Sequence, residues 1–193
     1  MIPEFNHSHV LPPFLGDSVS YADASPYDVG ALEVVERFAS TQERRAILRG
    51  LLEMRDDLRQ LGFTQGFQWL DGSFVENIET QEGRAPRDLD VVYFVHGPCG
   101  LSATQTQEMM TANPDLFVKE RCRKRYRCDP MILNLGRKPE RLVQDVRYWY
   151  GLFSHRRDNV WKGFLQLPMV SDDTAAIQLL DNLSSGDGDA SAA

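Results

Sequence analysis

Two aspartates, Asp88 and Asp90, open a run of mainly β-branched and aromatic residues that continues to Val95. A run of this length and composition predicts a buried β-strand. Side chains two residues apart on a strand point to the same face, so the two carboxylates should project together. Adjacent carboxylates repel each other unless a cation lies between them, and their oxygens are ligands that Mg²⁺ or Mn²⁺ accepts beside water and phosphate. The run therefore predicts a sheet with a metal-binding pair of acids at the start of one strand.

A second feature is the pair Gly72-Ser73, which follows a short predicted strand at 67–70 and is separated from Asp88 by a largely polar spacer. Glycine leaves room for a phosphate to approach the backbone closely. Ser73 stands where a brief helix is predicted to begin, and a helix N-terminus offers free amides to an anion. The preceding Asp71 stands beside the glycine, where it can contact the site, but capping of the turn is the favoured role. The pattern predicts a phosphate-binding turn next to the acidic pair.

Gly-Ser, a spacer and Asp-x-Asp on a strand resemble the signature of the polymerase-beta-type nucleotidyltransferase superfamily, over about residues 67–95. More narrowly, Trp69–Glu76 and Pro86–Val92, with His9–Pro13 upstream, are similar to a small family of bacterial nucleotidyltransferase-like proteins. The resemblance implies the nucleotidyltransferase fold, an α+β (α/β) arrangement in which helices flank a mixed sheet. It also implies a nucleoside triphosphate as substrate and Mg²⁺ (or Mn²⁺) as cofactor.

The superfamily that the chain resembles has a third carboxylate on a neighbouring strand, and Asp129 is the best candidate because its segment is expected to be a strand. Asp115 and Asp145 are weaker candidates, since they are expected in a loop and in a helix. The resemblance implies that Asp88, Asp90 and Asp129 hold two metal ions, one at the attacking hydroxyl and one at the triphosphate. Asp129, near the attacking oxygen, would be the general base.

A basic run precedes Asp129. Residues 119–133 are predicted to form a long strand interrupted at Pro130, and the first nine of them contain six of the 21 Lys and Arg residues. The strand period of two puts alternate arginines on the face of Asp129, namely Arg121, Arg123, Arg125 and Arg127. Arg125 and Arg127 would then bind a triphosphate or the backbone of an RNA acceptor. A solvated strand edge that uses charge to prevent edge pairing accounts for the same run, and both interpretations stay open here.

Composition excludes several classes of protein. A chain of 193 residues, 42% apolar and 25% charged, is typical of a folded domain that needs no disulfides or structural metal. No run approaches the length of a membrane span, so no membrane partner is expected. Three cysteines without Cys-x-x-Cys spacing, and an N-terminus without a secretory pattern, indicate a cytoplasmic protein. The net charge of −7 disfavours binding of nucleic acid by the surface as a whole.

The chain is expected to form one domain with two peripheral segments. Residues 1–26 are interpreted as an extended N-terminal arm, 27–183 as a single nucleotidyltransferase-like domain with its core at about 63–170, and 184–193 as a disordered tail. The clearest helix is predicted behind the capping pattern Ser40–Glu43 and ends at Gly62. Further helices are predicted at 27–39, 101–112 and 140–153, and a last strand at 161–170.

The first functional hypothesis is an enzyme that moves a nucleoside monophosphate from a nucleoside triphosphate to a hydroxyl and releases pyrophosphate. The acceptor would be a protein, an RNA or a small molecule, and similar small nucleotidyltransferases belong to toxin–antitoxin or phage-defence modules. The alternative is a non-catalytic nucleotide- or RNA-binding module of the same fold that regulates a partner protein. A third hypothesis is an α/β scaffold whose acids are surface turn residues.

Overall fold

A five-stranded mixed sheet forms the centre of the molecule. A computed structural model of the chain describes residues 1–16 and 20–190, with side chains as far as residue 185. The strands are β1 (Tyr27–Asp28), β2 (Gly66–Asp71), β3 (Leu89–Val95), β4 (Cys128–Asn134) and β5 (Leu165–Pro168). Their spatial order is β1-β5-β2-β3-β4. Strand β2 is antiparallel to its neighbours β3 and β5, whereas the pairs β1–β5 and β3–β4 are parallel. The mixed sheet with helices agrees with the expected α+β class.

The described residues also form eight α-helices. They are α1 (Ala31–Phe38), α2 (Gln42–Gln60), α3 (Ile78–Glu82), α4 (Ala103–Ala112), α5 (Pro114–Phe117), α6 (Lys119–Tyr126), α7 (Pro139–Phe153) and α8 (Asp173–Ala190). Helices α4 and α7 confirm the helices predicted at 101–112 and 140–153 to within two residues at each end. No helix in the described part of the chain is long and apolar enough to cross a lipid bilayer.

Helix α2 begins one residue later than the capping pattern suggested. Thr41, rather than Ser40, is its N-cap, and the Thr41 hydroxyl accepts a hydrogen bond of 3.2 Å from the amide of Arg44. At the other end Gly62 has a φ of +93°, a value that favours glycine, and its amide donates to the carbonyl of Arg59. The predicted glycine stop is therefore confirmed.

The two faces of the sheet carry different cores. One face packs against α1, α2 and α8 through a large, mainly aliphatic cluster. The other carries a smaller aromatic cluster, in which the ring centroids of Trp69 and Phe94 lie 4.6 Å apart and which α7 covers with Phe153. Helix α7 covers only part of this second face. At the end of the sheet near Asp71, charged side chains lie on this face instead.

The basic segment is a helix, so the strand predicted at 119–127 is wrong. Helix α6 ends at Tyr126, its C-cap Arg127 has a φ of +53°, and the chain then enters β4. Cys122 and Tyr126 are both fully buried, and their separation of four residues is typical of the buried face of a helix. The expected row of four arginines on the face of Asp129 does not exist.

Smaller differences occur elsewhere. The helix predicted at 27–39 begins only at Ala31, because Tyr27–Asp28 pairs with β5 instead. The strand predicted at 161–170 is limited to β5.

Helix α8 was not predicted at all, and its backbone continues through residues 184–190, which were expected to be disordered. The last part of that prediction, 191–193, lies outside the described residues.

The N-terminal arm packs tightly on the body near one end of the sheet. Val10 and Leu11 are fully buried. Val10 forms an antiparallel bridge with Glu76, and the carbonyl of Leu11 accepts a hydrogen bond of 2.7 Å from the amide of Gly163. The arm thus closes one side of the region that holds the acidic residues.

Candidate active site

Strand pairing places three aspartates in one row across the sheet. Asp71 of β2 is paired with Asp90 of β3, and Asp90 is paired with Asp129 of β4. Paired residues on neighbouring strands project from the same face, and adjacent strands lie about 4.8 Å apart. Asp88, two residues before Asp90, projects from that face as well. The structure therefore brings the three predicted acids together and adds a fourth, Asp71, for which turn capping had been favoured over contact with the site.

Gly72 fits tightly against this row. Its φ of +84° and ψ of −169° lie in a region that is essentially restricted to glycine. A Cβ atom at this position would lie 2.5 Å from Oδ2 of Asp90. Ser73 opens a 3₁₀ turn of only three residues, Ser73–Val75, in place of the helix expected there. The turn thus brings bare backbone to the carboxylate of Asp90.

Asp90 is the most crowded of the predicted acids. Burial, followed by the like charges of Asp88 and Asp129, raises the pKa of Asp90. Among the described residues, Asp90 has no ion-pair partner of its own. An extra cation would relieve both the desolvation and the repulsion at this carboxylate.

Two cations of α6 reach the outer acids. The guanidinium of Arg123 bridges Asp88 and Asp129, with Nε 2.9 Å from Oδ2 of Asp88 and Nη2 2.5 Å from Oδ2 of Asp129. The ammonium of Lys119 lies 2.8 Å from the same oxygen of Asp129. These contacts come from a helix that approaches the sheet, not from a strand that runs alongside it.

The two arginines that were predicted to bind phosphate point elsewhere. Arg125 donates to Asp57 at 3.0 Å and stacks on the ring of Tyr126, 4.8 Å from its centroid. Arg127 is exposed at the end of α6 and contacts none of the aspartates in the described structure. The structure therefore separates Arg125 and Arg127 from the acidic row, because the segment is helical.

A buried lysine that the sequence analysis missed lies beside the Gly72 turn. The side chain of Lys162 is 3% exposed, and its ammonium lies 2.5 Å from Oε1 of Glu76 and 3.0 Å from Oδ1 of Asp71. It also donates to the carbonyl of Gly72 at 3.3 Å. No local pattern signals this network, since its members are up to 91 residues apart along the chain (162 minus 71).

The ionisation of Asp71 reflects this buried setting. Burial raises its pKa to about 7, and Lys162 opposes the rise. Burial lowers the pKa of Lys162, but the charges of Asp71 and Glu76 outweigh burial and raise it overall. The lysine is therefore a fixed cation that holds the strand end and the glycine turn together.

Residues 3–168 match the model of DUF6932, a family of unknown function. The chain belongs to this family. The DUF6932 match extends from the N-terminal arm to the end of β5 and includes all four aspartates, Gly72 and Lys162. No curated protein and no solved structure gives a significant match. Family membership thus covers the site without assigning it an activity.

The donor set of the site suits a hard divalent cation, but the acids do not converge on one point. Asp88, Asp90 and Asp129 offer only carboxylate oxygens, the ligands that Mg²⁺ and Mn²⁺ prefer. Within the described residues no group of three or more His, Cys, Asp or Glu side chains is arranged to hold a metal ion. Arg123 explains this arrangement, because it turns the outer two carboxylates toward itself. Metal binding would require Arg123 to release them.

Proposed function

We propose that this DUF6932 protein is a metal-dependent nucleotidyltransferase that moves a nucleoside monophosphate from a nucleoside triphosphate to a hydroxyl acceptor. The observation that supports the proposal best is the sheet register, which aligns Asp90 with Asp129 on the face that also carries Asp88. The backbone of Gly72 lies directly against the carboxylate of Asp90, so the glycine turn and the acids belong to one site. This combination of acids and glycine turn is the one that the motif resemblance implies.

In this proposal Asp88 and Asp90 hold Mg²⁺ with Asp129, and the bound metal supplies charge for the triphosphate and for the attacking oxygen. The acceptor hydroxyl attacks the α-phosphorus, the bond to the β-phosphate oxygen breaks, and pyrophosphate leaves. Asp129 takes the proton of the hydroxyl. Lys162 keeps the Gly72 carbonyl in place, so that the turn presents a constant surface to the phosphates.

The ion pairs of Arg123 favour one alternative, a non-catalytic nucleotide- or RNA-binding module of the same fold. A guanidinium that satisfies Asp88 and Asp129 can serve as a permanent internal counterion. Such a module would bind its ligand without metal and would regulate a partner protein. A measurement of metal dependence separates the two functions.

The decisive experiment is calorimetric titration of the full chain with each non-hydrolysable nucleoside triphosphate analogue, with and without Mn²⁺. We expect binding only with Mn²⁺, and a loss of at least about 100-fold in Asp90→Asn and Asp129→Asn, because even indirect ligand-orienting groups at metal sites cost 10- to 100-fold. Asp145→Asn is the matched control, since Asp145 is a carboxylate on α7 that pairs with Arg137 away from the row.

Incubation of the same variants with α-labelled nucleoside triphosphates and candidate RNA or protein acceptors then tests transfer of label. Nucleotide binding that is equal with and without Mn²⁺ would favour the non-catalytic module. Absence of any nucleotide binding would contradict both functions.

A further inference from the structure

A second charged region lies at the same end of the sheet, on the side of α2 and α6. A cleft of about 700 Å³ opens there between the two helices. We call it the basic cleft, and define it by its five cations: Arg45, Arg49, Lys124, Arg125 and Arg127. Gly50 of α2 also lines the basic cleft. A Cβ atom at this position would lie 1.9 Å from the carbonyl oxygen of Tyr126, so only glycine permits the close contact of α2 with α6.

Of the five cations of the basic cleft, two form exposed ion pairs and two others have no acidic partner in the described part of the chain. Arg49 pairs with Asp181 at 2.9 Å and Arg125 with Asp57 at 3.0 Å, both at exposed positions. Lys124 and Arg127 are exposed and have no carboxylate partner in the described structure. In a chain of net charge −7, such a local concentration of positive charge attracts anionic ligands.

The types of residue that line the basic cleft indicate which class of anion it can bind. Its other residues are small, polar or acidic, and no aromatic or large aliphatic side chain lines it. Protein partners are usually anchored by buried aromatic or aliphatic residues, and single strands by stacking on aromatic rings. Guanidinium groups, which form four of the five cations, instead bind phosphate oxygens in pairs. The side chains of the basic cleft are therefore suited to bind the phosphates of a nucleic-acid backbone without contacting the bases.

The spacing of the cations suits a row of phosphates. Arg45 and Arg49 are one helical turn apart on α2, which places their Cβ atoms about 5–6 Å from each other. Lys124, Arg125 and Arg127 face them from the end of α6. Two walls of cations separated by a groove match the two sides of a phosphate backbone better than a single compact anion.

The backbone of Arg127 links the basic cleft to the strand that carries Asp90, although the side chain of Arg127 points away from the aspartates. The carbonyl of Arg127 accepts a hydrogen bond of 3.0 Å from the amide of Leu89, and Leu89 stands between Asp88 and Asp90. Arg127 also precedes Asp129 by only two residues. To run from the basic cleft to the acidic row, an RNA backbone would therefore pass around the end of α6.

We infer that the basic cleft binds the phosphate backbone of a structured, double-helical RNA. Under the proposed function, on which this part of the inference rests, the RNA is the acceptor and presents a ribose hydroxyl to Asp129. The binding itself depends on neither metal nor nucleoside triphosphate. It can therefore be tested apart from transfer.

The test is fluorescence anisotropy with a labelled RNA hairpin, in EDTA, between 50 and 200 mM salt. The variant Lys124→Gln/Arg127→Gln should bind at least about tenfold more weakly, and its plot of log affinity against log salt concentration should be about two units less steep. Lys138→Gln/Arg141→Gln removes the same charge from exposed positions on and next to α7 and should change the affinity less than about twofold. Arg45→Gln, on the opposite wall, should weaken binding in the same direction and serves if the first variant does not fold.

Two competitors complete the experiment. A nucleoside triphosphate or polyglutamate should displace the hairpin only at concentrations far above that of unlabelled RNA. The inference is overturned if the hairpin does not bind at 50 mM salt, or if the α7 variant loses as much affinity as the cleft variant. It is also overturned if polyglutamate competes as well as RNA. Because the assay contains EDTA, loss of metal-dependent nucleotide binding alone would contradict the proposed function and leave this result intact.

Discussion

Two clusters of charged side chains, each with both acids and cations, lie on opposite faces of the sheet at strand β2. They differ in how completely the charges are neutralised by ion pairs and hydrogen bonds. On the aliphatic face, Arg55 is fully buried and donates to both oxygens of Asp173 at 2.7 Å, to Gln68 at 2.6 Å and to two backbone carbonyls. On the aromatic face, Asp88, Asp90 and Asp129 share two partly exposed cations, and Asp90 has none to itself.

The difference distinguishes a structural network from a candidate site. The Arg55 network leaves no donor or acceptor for a ligand, so its value lies in the stability of the fold. The acidic row keeps an excess of negative charge that repels itself, which no folding requirement explains. Substitutions should therefore affect stability in the first region and ligand binding in the second.

The largest effect is expected from Arg55→Met. The substitution leaves the carboxylate of Asp173 buried with only Arg59 as an ion partner, and loss of one member of a buried pair costs about 3–5 kcal/mol. Urea unfolding of the purified chain measures the loss. Arg49→Met is the control, because the Arg49–Asp181 pair is exposed and is worth less than about 1 kcal/mol. Equal losses in the two variants would show that the Arg55 network is not the stabilising one.

The two regions should also respond to pH in opposite directions. Asp71 has a pKa of about 7 in the folded chain against an ordinary 3.8, so the folded state holds a proton that the unfolded state has released between these values. Its contribution to stability therefore falls as pH rises from about 4 to about 7. Asp173 has a lowered pKa, despite its burial, because Arg55 and Arg59 bind the charged form, so its contribution is lost as pH falls.

Urea unfolding at pH 5 and pH 7.5 tests the first half of this contrast. Relative to Asp71→Asn, the unsubstituted chain should lose about 2 kcal/mol between the two values. An unchanged difference would mean that Lys162 keeps Asp71 ionised throughout.

A smaller effect is expected from Gly72→Ala. The backbone conformation of Gly72 costs a non-glycine residue about 1–3 kcal/mol, and the added Cβ would displace the carboxylate of Asp90. Gly83→Ala also places alanine at a positive φ, +64°, but its Cβ would meet no atom within 4 Å. Thermal unfolding should show destabilisation in both variants. Only Gly72→Ala should weaken Mn²⁺ binding in calorimetry, and equal metal affinities would separate Gly72 from the site.

The smallest effect on stability is expected from Arg123→Gln. Arg123 is about half exposed, so its pairs should contribute less than about 1 kcal/mol. Its removal should nevertheless strengthen Mn²⁺ binding, because the carboxylates of Asp88 and Asp129 would no longer be occupied. Arg121→Gln removes an equal charge from the same helix, where Arg121 pairs with Asp115, and should leave Mn²⁺ binding unchanged. If both variants bind Mn²⁺ alike, Arg123 is not a competitor for the metal.

The sequence predicted those helices and strands whose residue patterns lie within a single short segment. Strand β3, the glycine end of α2 and the helices α4 and α7 follow from apolar periodicity and capping residues. The basic segment misled because the alternation of arginines suggested a strand, while the helical spacing of Cys122 and Tyr126 was the better indicator. Lys and Arg are also good helix formers, which a charge-based argument overlooks.

The acidic residues of the site could be predicted from their residue type and their position in the sequence, but their contacts with distant residues could not. The pairing of Asp90 with Asp129 follows if both segments are adjacent parallel strands, and that adjacency is implied only by the resemblance. Lys162 could not be predicted, because its burial depends on Asp71 and Glu76, which reach it only after the chain has folded. The role of Arg123 likewise depends on the position of a helix.

The position of β5 has a consequence for how the protein is made. This strand is the last in sequence, yet it lies inside the sheet, between β1 and β2. On the ribosome, β2 therefore keeps an open edge until residue 168 has emerged, and Lys162 arrives only with that same stretch of chain. Asp71 therefore stays without its lysine partner while the 90 residues between the two are being made. Newly made chains thus reach the final setting of Asp71 only after residue 162 has emerged.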